Sequence, residues 1–345
     1  MRVTELHSHG TRRYAVGRTH DRFPRRRLLQ LGAGAGAFFA VTRWARAQAY
    51  PSRPVRIIVG FSAGGPTDTL ARLMGQWLTD RLGQSFLVEN RPGAGSNLAT
   101  EAVVRAAPDG QTLLLITGAN AVNATLYSRL NFNFLQDVVS VAALCREPMA
   151  MLVNPAVPAS TIAEFIACTK ANPGKVTMAS GGIGAPSHMA GEMFKMLTGT
   201  DMVHVPYRGA VPALTDLLAG QVHIYFTPLI SALDHIKAGK LRVLGVTTLE
   251  RSKLLPDTPS IKEFVPGYDA SQLYGVGAPK NTPGEVVDTL NKEINAGLAD
   301  PKVSERLAQI GVIPLPGSPN SFSKLFAEET EKWAKVIEFS GATAD

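Results

Sequence analysis

Two cysteines, Cys145 and Cys168, are all that 345 residues contain, so no disulfide framework can staple this chain. One lies in an apolar run and the other on an expected helix, and both read as buried free thiols. Histidine is scarce as well. Beyond residue 47 only His188, His204, His223 and His235 remain, and no two stand four apart, so the paired ligands of a helical metal site are missing. Each reads as a hydrogen-bonding residue, with His188 set apart because it follows a glycine-rich turn. There is no internal repeat and, past the leader, no low-complexity segment. No apolar run beyond the leader approaches the ~20 residues of a membrane span.

The formal charge of +7 raises a nucleic-acid or membrane-surface partner, yet its distribution removes the support for one. Residues 1–47 hold ten arginines against Glu5 and Asp21, leaving 25 basic and 26 acidic side chains in the rest. The remainder is close to neutral, so no nucleic-acid partner is expected. The leader itself reads as an export signal over residues 1–47. Arg25-Arg26-Arg27-Leu28-Leu29-Gln30 precedes the apolar stretch Leu31 to Val41, and Ala45-Arg46-Ala47 offers small residues for cleavage. Paired arginines followed by Leu-Leu-Gln suit the twin-arginine route. A soluble, periplasmic, monomeric protein is the expected product.

With 45% hydrophobic and 18% charged residues, the chain has ample material for packed cores. Strand-like and helix-like segments alternate, the pattern of a parallel sheet with crossover helices. Val55 to Val59 reads as a strand, followed by a helix with Leu70, Leu73, Met74, Trp77 and Leu78 on one face. Phe86 to Glu89, a helix over Asn97 to Ala106, and Thr112 to Thr117 repeat the unit. Residues 118–137 look less regular. A second alternation runs from about residue 149 to 269, and helices near Glu285 to Leu298 and Phe322 to Ile337 close the chain. About 298 mature residues exceed one core, so two lobes are expected: 48–148 with 270–345, and 149–269. Two chain crossings, near 145–150 and 268–273, make a hinge with a cleft between the lobes.

Two fingerprints fail on context. Gly60-Phe61-Ser62-Ala63-Gly64 matches a hydrolase nucleophile elbow, but it follows the first strand and no histidine comes after His235. Gly32 to Ala37 matches a dinucleotide loop only inside the signal's apolar stretch. No cofactor and no metal are expected. Two turns between strand and helix are more informative: Ser62 to Asp68, and Ser180 to His188. Both carry glycines and a proline at the helix start, so unpaired amides and the helix dipole point into the cleft and suit an anion. Tyr207-Arg208-Gly209 adds a phenol and a guanidinium before a third helix.

These residues resemble the Bug family, the extracytoplasmic receptors of tripartite tricarboxylate transporters. The resemblance runs from Tyr50 to about Gly341. It is carried by Gly64-Gly65-Pro66-Thr67-Asp68 with Ala71-Arg72, by Val88-Glu89-Asn90-Arg91-Pro92-Gly93-Ala94-Gly95, and by Ala107-Pro108-Asp109-Gly110. Val205-Pro206-Tyr207-Arg208-Gly209, Leu218-Ala219-Gly220-Gln221, Leu255-Pro256-Asp257-Thr258-Pro259-Ser260 and Ala278-Pro279-Lys280-Asn281-Thr282-Pro283 continue it in order.

That resemblance implies an α/β fold of the type II periplasmic binding protein kind, two Rossmann-like lobes joined by a two-crossing hinge. It implies a small carboxylate ligand: a di- or tricarboxylate, an acidic amino acid or an aromatic carboxylate. Membrane components of a tripartite tricarboxylate transporter are the implied partners, with a ligand sensor as the alternative role. Ligand contacts are implied in the first turn, at Phe61, Ser62, Gly64, Gly65, Pro66, Thr67 and Asp68, and in the second, at Gly181, Gly184, Ala185, Ser187 and His188. Thr117, Tyr207, Arg208, Thr227 and Pro228 would line the neighbouring loops. Phe61 and Tyr207 would supply apolar walls, and amides around Gly64, Gly65, Gly184 and Ser187 would hold the carboxylate. Ala185 and Pro186 depart from the usual family turn, removing a hydroxyl and a donor.

Overall fold

A computed structural model describes residues 50–344; the export signal read over residues 1–47 lies outside them. The first apolar run forms strand β1 (Val55–Val59), followed by helix α1 (Pro66–Leu82), β2 (Phe86–Asn90), α2 (Asn97–Val104) and β3 (Thr112–Thr117). β1 pairs in parallel with both β2 and β3, as strands joined by helical crossovers do. Pro66 opens α1, where its fixed φ suits the first turn, and Gly83 closes it at φ 72°. The helix buries Leu70, Met74 and Leu78 against the sheet, with Leu73 and Trp77 at the margin of the same core.

Residues 118–137 are more regular than expected, forming α3 (Gly118–Leu126) and α4 (Phe134–Asp137). Glycine and asparagine at its start weigh against a helix by propensity alone. Local capping and burial outweigh them: the Thr117 amide donates to Asn120 Oδ1 at 2.8 Å, and Ala121, Val122 and Leu126 are buried. Strand β4 (Val138–Glu147) completes the crossing, and β5 (Met149–Val153) already belongs to another sheet, so the chain changes sheets at Pro148.

The second alternation comprises α5 (Ile162–Ala171), β6 (Val176–Ser180), α6 (Pro186–Thr198), β7 (Met202–Pro206), α7 (Ala210–Leu218), β8 (Ile224–Pro228), α8 (Leu229–Lys237) and β9 (Arg242–Val246). The chain then returns through a short turn at Ile261–Glu263 to β10 (Gln272–Pro279), α9 (Gly284–Ala299), α10 (Pro301–Gln309), β11 (Ile313–Pro314) and α11 (Pro319–Ser340). α10 and β11 are additions to the sequence reading.

The first sheet has the order β11-β4-β10-β3-β1-β2 and the second β7-β6-β8-β5-β9. Neither is wholly parallel, which corrects the simple crossover expectation. β10 runs antiparallel to β3 and β4, and β5 antiparallel to β8 and β9. These are the strands that begin right after a change of sheet, where no βαβ crossover dictates direction.

Helix α11 packs against α3 beside the first sheet and α6 beside the second. Phe322, Phe326, Trp333, Val336 and Ile337 therefore share one apolar cluster with Leu114, Ile116, Met178 and Phe194. Tyr268 joins it, fully buried, with its hydroxyl donating to the Ala190 carbonyl at 3.1 Å. Among the described residues no helix is long and apolar enough to cross a membrane.

Candidate functional site

A cavity of about 480 Å³ is lined from both sheets, within the size range of small-molecule sites. Two helix starts reach it, Pro66 and Thr67 of α1 and Pro186 and Ser187 of α6. The two junctions are built alike. Gly64 (φ 86°) and Gly184 (φ 73°) take left-handed turns that favour glycine. Gly65 and Ala185 are extended helix caps, and Pro66 and Pro186 open the helices. Thr67 pairs with Ser187 in position, and Asp68 with His188.

Asp68 Oδ2 accepts the Gly64 amide at 2.9 Å, and His188 Nδ1 accepts the Gly184 amide at 3.2 Å. The Gly64 and Gly184 donors assigned to a carboxylate by the sequence reading are thus already used inside their own turns. The Gly181 amide is used too, donating to Ser187 Oγ at 2.9 Å. The free donors are one step further on. Proline supplies no N–H, and the amides of Thr67, Asp68, Ser187 and His188 have no acceptor among the described residues. Each helix mouth therefore offers unpaired N–H groups together with the positive end of its dipole.

The side chains that brace the two mouths differ in charge. The Arg72 guanidinium, 2.9 Å away, holds the Asp68 carboxyl down at about 2, helped by the Gly64 amide and Asn90. Asn90 Nδ2 donates to both Asp68 Oδ1 and the Phe61 carbonyl at 3.0 Å, so this anion fixes the whole first turn. Burial lowers His188 to about 3, with His204 and Lys195 adding to it, and His204 is lowered by burial to about 4. The two rings stack with centroids 3.8 Å apart. A neutral His188 whose Nδ1 accepts an amide carries its proton on Nε2, which lies 3.7 Å from Glu192 Oε1.

Of the residues read from sequence, Phe61, Pro66, Thr67, Gly181, Gly184, Ala185, Ser187 and Pro228 line the cavity. Gly64, Asp68 and His188 act behind it as braces. Ser62 is exposed, Gly65 is half-buried, and neither lines the cavity. Ser62 makes no hydrogen bond to a histidine among the described residues, which leaves it without the base that a nucleophilic serine needs. Thr117 is fully buried in the cap of α3. Tyr207 is not a cavity wall: its hydroxyl donates to Asp216 at 2.6 Å and its ring packs on the second sheet's core. Arg208 neither lines the cavity nor forms an ion pair among the described residues. Thr227 is buried beside the Tyr225 phenol, which itself faces the cavity.

Several lining residues escaped the sequence reading: Asn123 and Leu126 of α3, Tyr225 of β8, and Glu147, Gln272 and Tyr274 of the strands at the crossing. Only Glu147 left a signal, an acid that ends an apolar strand just before Pro148. Of the cysteines, Cys145 is buried as expected, whereas Cys168 is half-buried; both are free thiols. No cluster of His, Cys, Asp or Glu among the described residues is arranged to hold a metal.

Two α/β lobes with paired helix mouths opening on a shared cavity define a two-lobed binding protein of the periplasmic type. Residues 70–342 match the model of the tripartite tricarboxylate transporter family receptor, TctC, and the chain belongs to that family. Protein BugT of Bordetella pertussis is 35% identical over 321 residues, covering 91% of this chain and 98% of its own. The solved structure of Rpa4515 from R. palustris with adipate is 34% identical with a TM-score of 0.74, covering 85% of this chain and 99% of that one. MatC from Rhodopseudomonas palustris with bound malate is 30% identical with a TM-score of 0.71, covering 84% and 100%. The chain is accordingly a solute-binding receptor of the TctC and Bug type, and its family is one of binding proteins.

Proposed function

We propose that this chain is an exported periplasmic receptor that closes its two lobes on a small carboxylate and delivers it to the membrane components of a tripartite transporter. It performs no catalysis and needs no cofactor. The observation that carries the reading is the pair of like-built helix mouths that reach one cavity, with Thr67 on one side and Ser187 on the other, each carrying an unpaired amide. A carboxylate has two oxygens, each able to accept more than one N–H, and so can be gripped from both sides at once. The neighbours that carry adipate and malate support an acid as ligand. Export rests on the leader, and hinge motion on the changes of sheet at Pro148 and between Val246 and Gln272.

The test is a thermal-shift screen of residues 48–345, stripped of bound ligand by unfolding and refolding. Succinate, citrate, glutamate, aspartate, nicotinate, benzoate and terephthalate form the panel, with sugars and cationic amino acids as controls. A ligand at a hundred times its Kd adds ~2.7 kcal/mol to stability. A shift confined to one carboxylate class supports the reading; a shift with sugars alone, or with none of the acids, rejects it.

A further inference from the structure

We propose that Glu147 sets the ligand class: a monocarboxylate carrying an amino or hydroxyl group, recognised by the Glu147 carboxyl, in preference to a dicarboxylate. The inference rests on the carboxylate-receptor reading and adds the identity of the second group.

Among the described residues, Glu147 is the one side chain of formal charge that lines the cavity, and no lysine, arginine or histidine lines it. It ends β4, directly before the chain changes sheets, and is only 5% exposed. Its Oε2 accepts the Tyr274 hydroxyl at 2.7 Å. Oε1 has no partner among the described residues, and the residue lines the cavity. Arg146, its neighbour in sequence, turns instead to Ser271 and Glu329 at 2.9 and 3.0 Å. The cavity therefore holds a carboxylate with a spare acceptor and no counter-cation, a costly arrangement unless a donor arrives. Burial accordingly pushes the Glu147 carboxyl up.

The helix mouths account for one carboxylate of the ligand. If the rest of the ligand carried a second ionised carboxylate, that charge would enter beside the Glu147 carboxyl in a cavity whose lining holds no side-chain cation to offset it. An ammonium, by contrast, donates to Oε1 and supplies the missing countercharge, and a hydroxyl donates without adding charge. Gln272 pairs with Glu147 across β10 and β4 and lines the same wall, so the strands at the crossing form a polar face opposite in character to the helix mouths.

Calorimetric titration at pH 7.5 compares two isosteric series: butanoate, 4-aminobutanoate, 4-hydroxybutanoate and succinate, then hexanoate, 6-aminohexanoate, 6-hydroxyhexanoate and adipate. The proposal expects the amino or hydroxy member of at least one series to bind tenfold or more tighter than the plain acid and the diacid. Glu147→Gln, which keeps an acceptor for Tyr274, should weaken that member at least tenfold and strengthen the diacid. The wild-type series decides even if the variant does not fold. A diacid that binds as tightly as the amino and hydroxy members overturns the Glu147 assignment and leaves the carboxylate reading standing. Silence from all eight overturns it as well, and the broader acid panel above then decides separately whether the receptor reading survives.

Discussion

Asp68 and His188 are structural counterparts: each stands three residues into a helix and accepts the amide of a left-handed glycine four positions earlier. One is a fixed anion paired with Arg72, and the other a neutral ring packed on His204. The two turns that frame the cavity are thus held by equivalent bonds of different electrical character, and their responses to substitution and to pH should diverge.

Asp68→Ala removes the acceptor for Gly64, Arg72 and Asn90 together. Since the carboxylate is buried, the loss should be about 2 kcal/mol, in the range for hydrogen bonds to a charged group. Arg72 is half exposed, so its ion pair is the smaller part. Asp68→Asn keeps an acceptor and should cost roughly half as much. Urea unfolding at pH 7 gives both values.

His188 should make stability fall as the solution is acidified. Its folded value, about 3, lies below the ordinary ~6.5, so below pH 6.5 the unfolded chain takes up a proton that the folded one refuses. The contribution is complete above pH 6.5 and is lost progressively as pH falls toward 3, at up to ~1.4 kcal/mol per pH unit. His204, lowered to about 4, acts in the same direction, while Glu192, raised by burial, opposes it, and Lys195 stays nearby as a cation. The informative quantity is the difference between wild type and His188→Asn, whose slopes from pH 6 to pH 4 should separate by about that amount in urea titrations.

Gly184→Ala should harm ligand binding more than folding. A Cβ there would meet Leu126 Cδ2 of α3, and φ 73° is unfavourable for alanine. Leu126 lies on α3 beside the first sheet and Gly184 follows β6 of the second, so the clash acts where the two approach. Strain of ~1–3 kcal/mol at this cavity wall predicts a Kd at least tenfold weaker by calorimetry. An unchanged Kd would show that Leu126 yields without cost.

The thiols should differ in reach. Cys145 is fully buried and burial pushes its thiol well up, while Cys168 is half-buried. A thiol-specific disulfide reagent at pH 8 should modify no more than one cysteine per native chain, Cys168, and two in denaturant, with absorbance as the readout.

Most strands could be placed from sequence because runs such as Val55 to Val59 and Thr112 to Thr117 leave few alternatives to a buried strand. The helix mouths were legible for a related reason: glycine, proline and a short capping side chain each have a local conformational meaning. α3 was not, since its Gly-Ala-Asn start is a weak helix former made helical by burial and a cap. Strand direction was lost wherever the chain had just changed sheets. Which amides stay free depended on side chains of Asp68, Ser187 and His188 folding back, a choice that spacing does not reveal. Glu147 illustrates the remaining gap. The sequence places an acid beside a proline, but which way it faces depends on the register of β4 with β10.

The path of α11 bears on how the molecule is made. The second sheet has all its strands by Val246, yet the helix that covers α6 begins only at Pro319 and ends at Ser340. A nascent chain emerging from the ribosome must therefore hold Met193 without this neighbour until residues 319–340 have been synthesised. Packing around α6 is thus completed late in synthesis, and truncation before Pro319 should injure a region encoded more than a hundred residues upstream.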